Sequence, residues 1–192
     1  MRAETVLADD VPTDDVAASP VADAAVLVRR VVPGDWPLLR SLRLEALLDT
    51  PLAYLETHAD AAAAPEGEWR YRAVRGSTGG DSLQLLALRA GGPVGTAVTF
   101  LGEDDVWWVA AVYLQPAERG RGLLRRLVDA LAAHAHGAGG RLLRLEVHED
   151  NPRARAAYAR LGFVETGGRR PYPLGDGDEL ELERRLPAPG VG

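Results

Sequence analysis

The tetrapeptide Arg119-Gly120-Arg121-Gly122 stands between an apolar run and a stretch with helical spacing. The first turn of a helix leaves amide N–H groups unpaired, with the positive end of the helix dipole behind them. Glycines clear side chains from the approach, so a phosphate can come close to that backbone. Arginines at 119, 121, 125 and 126 surround the loop with positive charge, and a diphosphate is the ligand it suits. Other readings compete. A dinucleotide turn wants G-x-G-x-x-G, and the third glycine is missing. A P-loop needs a lysine, and the chain has none. Arginine–glycine segments for RNA usually repeat outside folded structure, whereas this one opens a helix. The glycines also fit a tight turn with no ligand.

The elements that must hold this loop follow from periodicity and turn chemistry. A strand is expected over Val26 to Val32, ended by Pro33-Gly34-Asp35. Asp35 is placed to cap a helix carrying Trp36, Leu39, Leu42, Leu47 and Leu48. Asp49 to Gly67, broken by Pro51 and Pro65, shows no clear pattern, and Glu66 to Arg75 reads as a short helix. Strands over Ser82 to Arg89 and Val94 to Leu101 are joined by Ala90-Gly91-Gly92-Pro93. Val106 to Leu114 is apolar enough to be buried on both faces. A helix from about Gly120 to Gly137 follows, then a strand over Leu142 to Val147. There alternation puts Arg144, Glu146 and His148 on one face and Leu143, Leu145 and Val147 on the other. Asn151-Pro152 opens a helix to about Arg160, and Gly162 stops it. Phe163 to Thr166 and Glu179 to Leu186 supply two last strands. Strand, helix, strand between Val106 and Val147 implies one parallel crossover in an otherwise meandering sheet.

Composition narrows the chemistry. The 192 residues are 46% hydrophobic and 26% charged, the balance of a globular domain. No apolar run approaches the ~18 residues needed to span a bilayer. No secretory signal is visible, so a cytoplasmic location is expected. Without cysteine there are no disulfides, thiolate metal sites or cysteine nucleophiles; without lysine there is no Schiff base. Residues 1–24 carry Arg2 against Glu4, Asp9, Asp10, Asp14, Asp15 and Asp23, so most of the net charge of −6 sits there. That segment is expected to be a disordered acidic extension. His134 and His136, two apart on a helix, cannot chelate one metal together and read as surface residues.

Two further segments give the loop its context: Leu145-Glu146-Val147-His148-Glu149-Asp150-Asn151 and Ala157-Tyr158-Ala159-Arg160-Leu161-Gly162-Phe163. With the glycine loop at their spacing, they resemble the GCN5-related N-acetyltransferase (GNAT) family. That family writes the loop Q/R-x-x-G-x-G/A, matched by Arg119-Gly120-Arg121-Gly122-Leu123, with Leu124 where a small residue is usual. The resemblance covers roughly residues 26 to 186 and is sharp from about 108 to 163.

It implies an α/β (α+β) fold with a mixed, mostly antiparallel central sheet, splayed between its fourth and fifth strands, with helices on both faces. The domain would span 25–187, with a flexible tail at 188–192. Acetyl-CoA is the implied co-substrate, with no metal. Val112, Tyr113 and Leu114 would bond its pantetheine arm, with Leu114 N–H polarising the thioester carbonyl. Arg119, Gly120, Arg121, Gly122, Leu123, Leu124 and Arg125 would hold the diphosphate. Asn151 caps its helix and would also bond the cofactor arm. Tyr158 occupies the family's proton-donor position, or is a packed aromatic; a phenol titrating near ~10 can donate to a thiolate whose thiol titrates near ~8.5. Glu146 would accept the amine proton, or pair with an arginine, with His148 as a competing base. The acceptor side implicates Tyr54, Glu56, Arg170 and Tyr172. The expected partner is a primary amine, on a small molecule or a protein N-terminus; nucleic acid and membrane are not expected. The chain would be a monomer or homodimer. The alternative is a non-catalytic CoA-binding sensor or scaffold.

Overall fold

The computed structural model describes residues 25–103 and 105–187. The expectations for the two ends, 1–24 and 188–192, lie outside the described residues. The elements run β1 (Leu27–Arg30), α1 (Trp36–Asp49), α2 (His58–Ala63), α3 (Glu66–Thr78), β2 (Ser82–Arg89), β3 (Gly92–Leu101) and β4 (Trp107–Leu114). Then come α4 (Leu123–Gly137), β5 (Leu142–His148), α5 (Pro152–Arg160), β6 (Val164–Pro171) and β7 (Asp178–Arg185). The strands form one sheet in the order β1-β2-β3-β4-β5-β7-β6, antiparallel except for β4 against β5.

Alternation along β2 shows how the two faces are used. Leu85 and Ala87 join a core with Leu127, Val128 and Leu131 of α4, while Leu86 and Leu88 join a second core with Leu39, Leu42 and Trp69 from α1 and α3. The sheet is therefore covered by helices on both sides, α4 and α5 on one and α1 to α3 on the other. On β5, Leu143, Leu145 and Val147 enter the α4 core as the alternation predicts. Among the described residues no helix is long and apolar enough to cross a membrane.

Several boundaries differ from expectation, each for a local reason. β1 stops at Arg30 because Pro33–Asp35 forms a turn of 3-10 helix. Asp35 precedes α1 but does not cap it: its carboxylate accepts from Arg29 at 2.6 and 2.8 Å and from Val32 N–H at 2.8 Å. The unpatterned stretch holds α2, capped by Thr57, whose hydroxyl accepts from Asp60 N–H. α4 begins at Leu123 rather than Gly120, since Gly120 and Gly122 have φ of 74° and 81°, outside the helical region. β6 runs on to Pro171; every residue in it is exposed, so no apolar alternation marks it. His134 is not a free surface residue, because its ring meets the edge of Trp107 at 5.3 Å.

Arg29, with Val32 N–H assisting, holds the Asp35 carboxyl below the usual carboxylate range. A carboxylate depressed in the folded state contributes fully above its unfolded pKa, and that contribution is lost as pH falls through the folded pKa. Asp35→Asn is expected to lower the unfolding free energy by about 2 kcal/mol at neutral pH. The difference from wild type should shrink in acid. Urea unfolding at both pH values checks this, and equal stability at neutral pH would contradict it.

Candidate active site

The site begins where two neighbouring strands stop pairing. β4 and β5 meet only at Trp107 with Leu143 and Trp108 with Arg144, then part. Just beyond, β4 carries a bulge: Thr96 and Val98 of β3 face Tyr113 and Ala110, leaving one extra residue on β4. Ala111 absorbs it with φ of 49°, a left-handed conformation rare for a residue with a Cβ. The bulge resets the alternation, so Val109 and Leu114, five apart, both face the α4 core.

It also aims the backbone. Gln115 N–H donates to Val94 O at 3.0 Å, on the β3 side. Alternation then turns the amides and carbonyls of Val112 and Leu114 toward the parting. Their carbonyls are used there: Tyr54 OH donates to Val112 O at 3.1 Å, and Arg119 Nε donates to Leu114 O at 2.9 Å. Leu114 N–H faces the gap, where β5 no longer pairs with it. Tyr113 is different. It pairs with Thr96, so its peptide groups face β3, and its phenol donates to Glu45 at 3.0 Å. The expected strand-like contacts thus reduce to residues 112 and 114.

The parting opens a cavity of about 620 Å3 lined by Val112, Leu114, Gly120, Leu124, Glu146, Asn151, Tyr158 and Glu179, among others. The glycine loop is clamped before it turns. Arg89 donates to buried Glu118 at 2.8 and 2.9 Å, and Arg119 pairs with Asp49 while lying 5.7 Å over the Tyr113 ring. Arg119 therefore fixes the loop to the strand end instead of reaching outward. A Cβ at Gly120 or Gly122 would meet nothing within 4 Å, so both glycines border open space. Leu123 is buried in the α4 core, and half-buried Leu124 forms part of the cavity wall. Arg121 and Arg125 are exposed beside the glycines, with Arg125 donating to Arg160 O at 3.1 Å.

On the far side, Asn151 Oδ1 accepts from Ala154 N–H at 3.1 Å and caps α5. Tyr158 is half-buried with its ring 5.7 Å from Phe163, and burial pushes its phenol above the ordinary value, so it stays protonated. Glu146 makes the arginine contact anticipated for it, to Arg170 of β6. His148 is buried and already used. Asp150 N–H donates to its Nδ1 at 3.1 Å, which leaves Nε2 to donate to Asp176 O at 3.0 Å. A ring with both nitrogens engaged is not a free base.

The acceptor-side residues separate. Tyr54 lines the cavity, carries Arg43 at 4.1 Å over its ring, and has its phenol pushed up to about 12 by burial. Tyr172 packs edge-on to His148 at 4.8 Å and donates to Tyr54 O at 2.9 Å, so it supports the wall. Glu56 faces an adjoining hollow of about 720 Å3 and is held by Arg43 at 2.8 Å and Arg72 at 2.9 Å. Two residues went unread in the sequence. Glu179 is one of three acids, with Glu181 and Glu183, that alternate with leucines in the sequence. Gly95, opposite Leu114, gave no signal at all. Among the described residues, no group of three or more histidines, aspartates or glutamates is placed to hold a metal.

Residues 44–163 match the Acetyltransferase (GNAT) family. The chain belongs to that family. It is 31% identical over 156 residues to a mycothiol acetyltransferase of Clavibacter michiganensis, covering 71% of this chain and 49% of that protein. It is 38% identical over 77 residues to the N-alpha-acetyltransferase RimI of Mycobacterium tuberculosis, 40% of this chain and 47% of that one. The chain thus spans about half the length of these curated relatives. A phosphinothricin acetyltransferase of Sinorhizobium meliloti, solved in complex with AcCoA, shares the fold with a TM-score of 0.69 at 21% identity, over 87% of this chain and 94% of that one.

A Cβ at Gly95 would lie 2.5 Å from Leu114 Cδ2 and 2.9 Å from Tyr113 O. Gly95→Ala must therefore displace the strand end that points into the gap. It is expected to cost about 1–3 kcal/mol of stability. Gly80→Ala, where a Cβ meets nothing within 4 Å, is the control. Denaturant titration of both variants tests this, and identical midpoints would refute it.

Proposed function

We propose that this protein transfers an acetyl group from acetyl-CoA to a primary amine by direct attack within a ternary complex. The observation that carries this reading is the parting of β4 and β5. One gap brings together the Leu114 N–H, the open glycine loop, Tyr158 and Glu146. Gly120 and Gly122 leave room for a diphosphate near the start of α4, and exposed Arg121 and Arg125 add charge beside them. The peptide groups of Val112 and Leu114 offer strand-like contacts to the pantetheine arm. Tyr54, now on Val112 O, would yield or share that acceptor.

Leu114 N–H would polarise the thioester carbonyl as negative charge develops on its oxygen. The amine nitrogen forms the C–N bond, the C–S bond breaks, and Tyr158 donates its proton to the leaving sulfur. The proton that nitrogen loses as it becomes an amide returns to Tyr158. The acceptor's own ammonium proton must leave first, and Glu146 stands where it can take it. An amine on a small molecule or on a protein N-terminus satisfies this chemistry.

Release of free thiol from acetyl-CoA against a panel of small amines and N-terminal peptides tests the proposal. Tyr158→Phe and Glu146→Gln are each expected to lower kcat by about a hundredfold or more, with acetyl-CoA affinity unchanged. Unchanged rates would remove those roles. Tight acetyl-CoA binding with no thiol release from any amine would favour the CoA-binding scaffold, and loss of binding would sink both.

A further inference from the structure

The polar face of β5 and β7 carries more acid than cation. Along it Glu146 stands opposite Glu181, and His148 opposite Glu179. Arg144 lies 3.5 Å from Glu181 and 3.8 Å from Glu183. Arg170 meets Glu146 and lies 3.9 Å from Glu179. Glu146 and Glu179 are thus diagonal neighbours on one face of an antiparallel pair, close enough for side chains to meet. Both line the cavity, and the Glu179 side chain is only 7% exposed. A buried carboxylate next to another carboxylate, with one arginine between the two, is costly unless it has a proton to share.

Resting on the transfer reading above, we propose that Glu146 and Glu179 act as a single proton-accepting pair, with Arg170 as their common counter-charge, serving a cationic primary amine. The balance is simple. The fully ionised pair with Arg170 carries one net negative charge, which draws an ammonium group into the gap. The ammonium gives one proton to the pair and becomes the neutral amine that attacks. The pair then holds one proton between two carboxyls, neutral overall with Arg170, and returns it to solvent after product leaves.

The surroundings set the pair's affinity for that proton. Burial and the Glu146 charge raise the Glu179 carboxyl, with a hydrogen bond between the two adding to the effect; Arg170 and the neighbouring His148 ring act the other way. Glu181 lies two residues along the same face, paired with Arg144, and Tyr172, whose phenol burial raises, stays neutral beside Glu179. Two coupled acids titrate as a pair, so the observable is a property of both.

The test combines two readouts on the full chain. In protein with isotope-labelled glutamate carboxyls, NMR titration should show one carboxyl signal titrating above the ordinary glutamate range. Glu179→Gln should remove that signal, and Glu146→Gln should lower its midpoint. The acid limb of kcat/KM against pH should fall by roughly a pH unit in Glu179→Gln and rise in Arg170→Ala. A structural role for Glu179 would scale the rates down at every pH and leave the limb in place, which would overturn the proposal. So would glutamate signals that all titrate in the ordinary range. If no amine is acetylated by the wild-type protein, the transfer reading fails, while the carboxyl titration still decides whether the pair shares a proton. Acetyl-CoA binding by each variant shows that its fold is intact.

Discussion

The site depends on one backbone event, the extra residue at Ala111. A regular β4 would keep its peptide groups and side chains in step from Trp107 to Leu114. Both could not then be served: the α4 core needs Val109 and Leu114 on one face, and the gap needs the Leu114 amide free of β3. The left-handed step at Ala111 satisfies both. A strained conformation of this kind persists only when its surroundings over-determine it. Here Val98 and Thr96 on one side, and Tyr54 on the other, hold the chain on either side of the bulge.

Around this step the structure spends its ion pairs on position. Arg89–Glu118 and Arg119–Asp49 fix the residues before the two glycines, so the turn itself needs no side chains and borders open space. Tyr172, His148 and the Asp176 carbonyl form a second brace, which holds the β6–β7 end against Tyr54. Between these braces the groups with chemical potential, Tyr158, Glu146 and Glu179, face a common space. Rigid supports outside and polar groups inside is the arrangement that transition-state stabilisation requires.

Much of this was legible from the sequence, and the limits have physical causes. The central strands could be read because burial on one or both faces leaves an apolar signature, and β2 matches its expected bounds of Ser82 to Arg89. Asn151-Pro152 located α5 because cap and first-turn residues are chosen for local reasons. The loop was legible from its glycines. By contrast, β6 is exposed along its whole length and carries no periodic mark. Glu179 alternates with leucines like any solvated acid, and only the register against β5 brings it beside Glu146. The partners of Glu56, Arg43 and Arg72, are likewise distant from it in sequence.

The guanidinium groups at 43, 89, 119 and 170 share one further property. A guanidinium keeps its charge throughout the range in which proteins are stable, and its nitrogens are poor nucleophiles because their lone pairs are delocalised. With acetyl-CoA bound as proposed, a lysine at 43 or 119, both on the cavity wall, would present an amine that can lose its proton near the thioester. The chain has no lysine anywhere, so none of these supporting cations can become an acceptor in its own right. Under the proposed reading, the ion pairs that hold the site together offer no side-chain amine to compete with the acceptor.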